Sequence, residues 1–262
     1  MDSFQILVFG SLLAFIFLLF VNIKKKNLKE LKKYKLSYFL KIFGIGILGT
    51  FCYNLFLYLG IDRIGANNGF ILNYLWPIMI VIFAWMILKE KMNLKKIVAI
   101  LLSFTGVVVM VLGNGINLRS VEFLGVLFCI IAAISYGLFS VLTKRVIYDK
   151  YLSMMLYYFV AFVAALLFAL VNNKLILPSF EQGLGLIWIG IFTSAIAWTS
   201  WSLAIGKGDT SKIANLAYIT PFLSLIWTSI FLKEQLTLYA LFGLILIVSG
   251  ALLQLSDSKK ND

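Results

Sequence analysis

The chain has 262 residues, of which 62% are hydrophobic and 13% charged, with a net charge of +12 and a mean hydropathy of +0.99. Soluble domains run nearer half apolar and a quarter charged, and disordered chains are poorer still in apolar residues, so this composition excludes both. With no histidine and two cysteines, Cys52 and Cys129, most zinc sites, every histidine-based triad and a disulfide framework are excluded as well.

Nine apolar spans follow one another, at about 4–23, 39–60, 69–88, 97–113, 123–142, 152–171, 184–205, 213–232 and 237–255. Each has about the length that crosses a bilayer. In lipid every backbone polar group needs an internal partner, so such spans are expected as helices. None alternates like a barrel strand. The first span is preceded by Asp2 and followed by Lys24, Lys25 and Lys26. That order is the reverse of a secretory signal peptide and reads as an anchor. Cys52 and Cys129 fall inside spans and read as free thiols packed among helices.

Basic residues set the orientation. With loop 24–38 in the cytoplasm and sides alternating, 19 of the 23 basic residues are cytoplasmic, leaving Arg63, Arg119, Lys174 and Lys233 outside. This is the positive-inside asymmetry, and it puts the C-terminus in the cytoplasm. It also accounts for the net charge, so no nucleic-acid partner is called for. The expected partners are the lipid bilayer and a small-molecule solute; the Lys24–Lys35 run also suits anionic headgroups.

The chain repeats itself. The spacing that pairs Pro77 with Pro221 also pairs Tyr74 with Tyr218, Lys89-Glu90 with Lys233-Glu234, Gly46 with Gly190 and Gly106 with Gly250. The spacing covers five spans, an odd number, so the two halves are inverted in the membrane. That is a building plan of secondary transporters. The expected halves are 1–113 and 123–255. A symmetric chain would carry ten helices, and the first half lacks its first.

Two segments carry a family resemblance: NYLWPIMIVIFAWMILKEKMNL at 73–94 and LAYITPFLSLIWTSIFLKEQLTL at 216–238. With GVLFCIIAAISYGLFSVLTKR at 125–145, they resemble the EamA type of the drug/metabolite transporter superfamily. Asn-Tyr-Leu-Trp-Pro at 73–77, Trp201 and Thr220-Pro221 resemble its aromatic amino-acid exporter branch. The resemblance implies an all-α polytopic membrane protein, an inverted-repeat helix bundle of ten helices, nine in this chain. It also implies an inner-membrane exporter with a central cavity.

The residues themselves point the same way. No carboxylate lies mid-span; Glu90 and Glu234 end spans beside lysine and read as interfacial ion pairs, and Asp62 and Asp209 fall in loops. A buried acid is therefore not expected to couple transport to protons. Proline removes a backbone hydrogen bond and kinks a helix, so Pro77 and Pro221 are expected as kinks around the site that serve as hinges. At helical spacing, Asn73, Trp76 and Pro77 share a face with Tyr74 at its edge. Asn54 and Tyr58 share another, with Tyr53 beside it. Trp198 and Trp201 share one with Ser194 and Ser202, Tyr218 one with Asn215, and Tyr136 one with Ser140. Amides in hydrocarbon need partners, so these faces should point inward. Rings and amides without fixed charge suit a neutral or zwitterionic solute. The expected substrate-binding residues are Tyr53, Asn54, Tyr58, Asn73, Tyr74, Trp76, Tyr136, Trp198, Trp201 and Tyr218. Gly44, Gly46, Gly49, Gly106, Gly243 and Gly250 are expected at close helix contacts. The expected activity is export of amino acids with aromatic or apolar side chains by alternating access. The alternatives are export of other neutral drugs or metabolites, or a non-transporting membrane subunit. No cofactor, metal or enzymatic centre is called for.

Overall fold

A computed structural model describes residues 3–112, 122–172, 175–232 and 237–258, and the described secondary structure is helical throughout. In chain order the helices are α1 (Ser3–Lys24), α2 (Leu36–Gly46), α3 (Tyr53–Ile64), α4 (Ala66–Asn73), α5 (Trp76–Leu88), α6 (Leu94–Leu112) and α7 (Phe123–Lys144). Then come α8 (Lys150–Val171), α9 (Phe180–Ile187), α10 (Ala197–Lys207), α11 (Thr210–Leu216), α12 (Thr220–Leu232) and α13 (Leu238–Ser258). Five described helical segments have the length and composition to cross a membrane: Ser3–Lys24, Leu36–Ile64, Phe123–Lys144, Lys150–Val171 and Phe180–Lys207. Trp76–Leu88 and Leu238–Gln254 are shorter apolar helices.

Four spans depart from regular α-helix, in two matching pairs. Segments Ile47–Cys52 and Trp188–Ile196 are π-helical and join α2 to α3 and α9 to α10. The spans containing Pro77 and Pro221 were expected as kinked single helices and are instead broken. A turn at Tyr74–Leu75 separates α4 from α5, and the 3₁₀ turn Ala217–Ile219 separates α11 from α12. Each proline is the second residue of the helix after the break. There its missing N–H costs nothing, whereas further inside it would remove an i→i−4 bond.

The chain forms two compact units, residues 1–58 with 142–207, and residues 59–141 with 208–262. In the first unit α1 packs along α8. Phe15 and Phe159 meet with ring centroids 5.2 Å apart. A Cβ on Gly46 would lie 3.2 Å from Tyr157 Cα, and one on Gly190 2.6 Å from Leu13 Cβ. Phe15 and Phe159 are repeat mates, as are Gly46 and Gly190, and Leu13 and Tyr157. The contacts are therefore reciprocal, as across a twofold axis.

The second unit repeats the arrangement with α6 against α13. A Cβ on Gly106 would lie 2.6 Å from Gly243 O, and its mate on Gly250 2.5 Å from Ala99 O. Ser103 Oγ donates to Ile247 O at 3.3 Å, a bond between mates 144 residues apart. The N-caps match too: Asn93 Oδ1 accepts from Lys96 N at 2.8 Å, and Thr237 Oγ1 from Ala240 N at 3.2 Å. Gly44 differs from the expectation: it is exposed, and a Cβ there meets nothing within 4 Å. Cys129 is fully buried and Cys52 partly so, both as free thiols.

Candidate functional site

The expected site residues divide between the units, and each set sits where its helices lose regularity. In the first unit the π-helical segment Ile47–Cys52 feeds directly into Tyr53 and Asn54. Such bulges leave carbonyls that side chains can use. Asn54 Nδ2 donates to Thr50 O at 2.8 Å, and Thr50 Oγ1 lies 2.7 Å from Gly46 O and 3.1 Å from Tyr157 O. This holds the irregular segment against α8. Trp198, one residue past the start of α10, stands between two tyrosines. Its ring is 5.5 Å from Tyr53 and 6.1 Å from Tyr158. Trp201 is three residues further along the same helix and is partly exposed. Tyr58 has a different setting: it packs on the apolar cluster of Leu7, Val8, Ala165 and Ala169.

In the second unit the Tyr74–Leu75 break gathers the other set. Trp76 meets Tyr136 of α7 edge to face, with centroids 5.0 Å apart. Gly137, beside Tyr136, lets α7 approach α5 so closely that a Cβ there would lie 2.5 Å from Met79 Cβ. Asn73 is buried at the end of α4. Tyr218 is fully buried in the matching break, and its hydroxyl donates to Tyr74 O at 3.1 Å. The same hydroxyl takes a hydrogen bond from the Ile78 main chain. Tyr74 O and Ile78 N are the acceptor and donor of what would be one i→i−4 bond. The phenol is thus inserted into the helix ladder, a recognised cause of a sharp bend. Pro77 and Pro221 are both buried.

Polar groups cap the same unit at the heads of α6 and α11. Lys96 Nζ and Asp209 Oδ2 are 2.9 Å apart, and Thr210 Oγ1 donates to Glu90 Oε1 at 2.6 Å. Burial pushes the Asp209 carboxyl up. The hydrogen bonds from Lys96 Nζ and the Lys212 amide, with the two ammonium charges, outweigh it and hold the carboxyl below its ordinary range. Asp209, read from sequence as a loop residue, is therefore half of an ion pair and the N-cap of α11. Glu90 takes a hydroxyl as partner; Glu234 lies outside the described residues.

Sequence reasoning missed Tyr157 and Tyr158, both almost fully buried on α8. The available signal was a tyrosine pair inside an otherwise apolar span. It also missed Gly60, where a Cβ would clash with Cys129 Sγ and lie 3.1 Å from Gly125 O.

Comparison with known proteins agrees with this architecture. The sequence profile of the EamA-like transporter family matches residues 1–112 and 123–256. The chain is 29% identical over 216 residues to the uncharacterized transporter YvbV of Bacillus subtilis (strain 168), covering 79% of this chain and 70% of that one. It is 24% identical over 183 residues to the aromatic amino acid exporter YddG of Ancylobacter novellus, covering 68% of this chain and 63% of that one. A solved structure titled "Crystal structure of protein" shares the fold with a TM-score of 0.85 at 18% identity, over 97% of this chain and 88% of that one. A profile match over nearly the whole chain, on an all-helical membrane fold with matching breaks in both repeats, makes this protein a member of the EamA-like transporter family.

Proposed function

We propose that the protein exports amino acids with aromatic or apolar side chains across the inner (plasma) membrane, by alternating access, with its C-terminus in the cytoplasm. The observation that carries this reading is the pair of ring-and-amide sets at helix irregularities. Tyr53, Asn54, Trp198 and Trp201 form one; Asn73, Tyr74, Trp76 and Tyr136 form the other. None of these side chains is charged, which suits a solute with an apolar ring or chain and balanced charge. Helix breaks also present backbone dipoles, which can hold the ammonium and carboxylate of such a solute. Tyr218 is a positioning residue that shapes the break beside Trp76, and Tyr58 serves packing. Pro77 and Pro221 are the hinges. The halves 1–113 and 123–255 are the evolutionary repeat. A relative named as an aromatic amino acid exporter supports the substrate class.

Uptake of labelled phenylalanine into proteoliposomes preloaded with unlabelled phenylalanine tests the assignment. Trp76→Ala and Trp198→Ala should each abolish it at unchanged protein level. Wild-type uptake by either variant removes that residue from the site.

A further inference from the structure

A second feature of the first unit lies apart from the ring-and-amide sets. The start of α2 and the end of α7 with its following turn enclose a cavity of about 570 Å³. Lys35, Lys41 and Arg145 stand around it; Ile42, Ile45, Leu142 and Val146 supply its apolar lining. Tyr38 and Tyr148 form a stiff wall, their rings 4.0 Å apart and backed by Tyr34 at 4.6 Å and 4.2 Å. Tyr38 is fixed by a 3.1 Å hydrogen bond to Ser153.

The three cations are exposed, and among the described residues none has an ion-pair partner. The acids nearest in sequence are engaged elsewhere. Glu30 pairs with Lys33 at 2.8 Å, and Asp149 caps α8 by accepting from Leu152 N at 3.0 Å. Beside the cations the surface is strongly apolar: Leu36, Leu40, Phe43 and Ile147 are 77%, 66%, 57% and 95% exposed. A ring of unpaired cations next to an uncovered apolar surface matches an amphiphile with an anionic head and a greasy tail.

We infer that this cavity binds an anionic glycerophospholipid, its phosphate among Lys35, Lys41 and Arg145 and its acyl chains along the exposed face of α2. Guanidinium and ammonium groups are the usual phosphate ligands. Basic groups between helices near a membrane surface are where such headgroups settle, and each adds about 1 kcal/mol of attraction. The α2 face belongs to the membrane-crossing segment Leu36–Ile64, where acyl chains lie directly beside the cations, and this favours a lipid over a soluble phosphate as the source.

Native mass spectrometry of the purified chain in detergent, titrated with phosphatidylglycerol or phosphatidylcholine, tests the site. Phosphatidylglycerol should bind selectively. The triple variant Lys35→Gln/Lys41→Gln/Arg145→Gln should bind it about a hundredfold more weakly. A charge-matched control of exposed lysines away from the cavity, Lys89→Gln/Lys91→Gln/Lys207→Gln, should bind within about twofold of wild type. Gly44→Trp changes no charge and starts from a position with open space around it; by filling the cavity it should lose binding as well. Equal losses in the two triples, an unaffected Gly44→Trp, or full displacement by glycerol phosphate at equal concentration would each overturn the proposal.

Discussion

Removing the Tyr218 hydroxyl tests how the second unit keeps its helix break. The phenol joins Ile78 N–H to Tyr74 O in place of a direct helical bond. In Tyr218→Phe the ring and its packing remain, and only these two hydrogen bonds go. A buried hydrogen bond contributes about 1 kcal/mol net, and about 0.6 kcal/mol on average inside membrane proteins. Leaving a donor and an acceptor without water costs more, up to about 3 kcal/mol. The expected loss is therefore about 2 kcal/mol, a fall in melting temperature of roughly 4–8 °C for a chain of this size. Hydrogen exchange gives the location. Amides of residues 74–80 should exchange faster, while those of α6 and α13 should not change. A variant that melts within about 1 °C of wild type, with unchanged exchange at 74–80, would refute the inserted-hydroxyl account.

Further outcomes follow from other contacts. Gly106→Ala and Gly250→Ala should each lower stability by about 1–3 kcal/mol, because the new methyl meets backbone carbonyls of the partner helix, whereas Gly44→Ala should be neutral; thermal melts in detergent compare the three. The ion pair at the head of α11 gives a pH signature. Asp209 is held below its ordinary 3.8, so its stabilisation is fully present above that pH and is lost as pH falls through the lower folded value. Lys96→Met should lose about 1 kcal/mol at neutral pH and flatten that acid limb in a melting series. Thr50→Val should loosen the π-helical segment from α8, seen as faster exchange of residues 47–54 and reduced transport.

Much of the fold was legible because the repeat is written in rare residues. Three prolines among 262 residues make a matched pair informative, and Tyr74 and Tyr218 at the same spacing proved to be physically bonded. The matched glycines did the same, since Gly46 with Gly190 and Gly106 with Gly250 make reciprocal close approaches. Gly44 failed because a glycine in sequence does not reveal whether a neighbour faces it. The breaks at 74–75 and 217–219 exceeded the expected kinks because proline can either bend a helix or open a new one. Tertiary partners such as the Tyr218 phenol decide between these. The π-helical segments left no trace, since an added residue per turn changes no side-chain type. In the candidate site, Trp198 and Trp76 were legible as rings at helical spacing. Tyr158 was not, because its burial against Trp198 depends on which helix packs on which.

The most direct test of the account is counterflow in proteoliposomes of the whole chain, with labelled tryptophan, phenylalanine and leucine offered separately and a labelled sugar phosphate as the charged comparison. An exporter with uncharged ring-and-amide sets should exchange the amino acids, the aromatic ones fastest, and ignore the sugar phosphate. Exchange of the sugar phosphate with no exchange of any amino acid would contradict it.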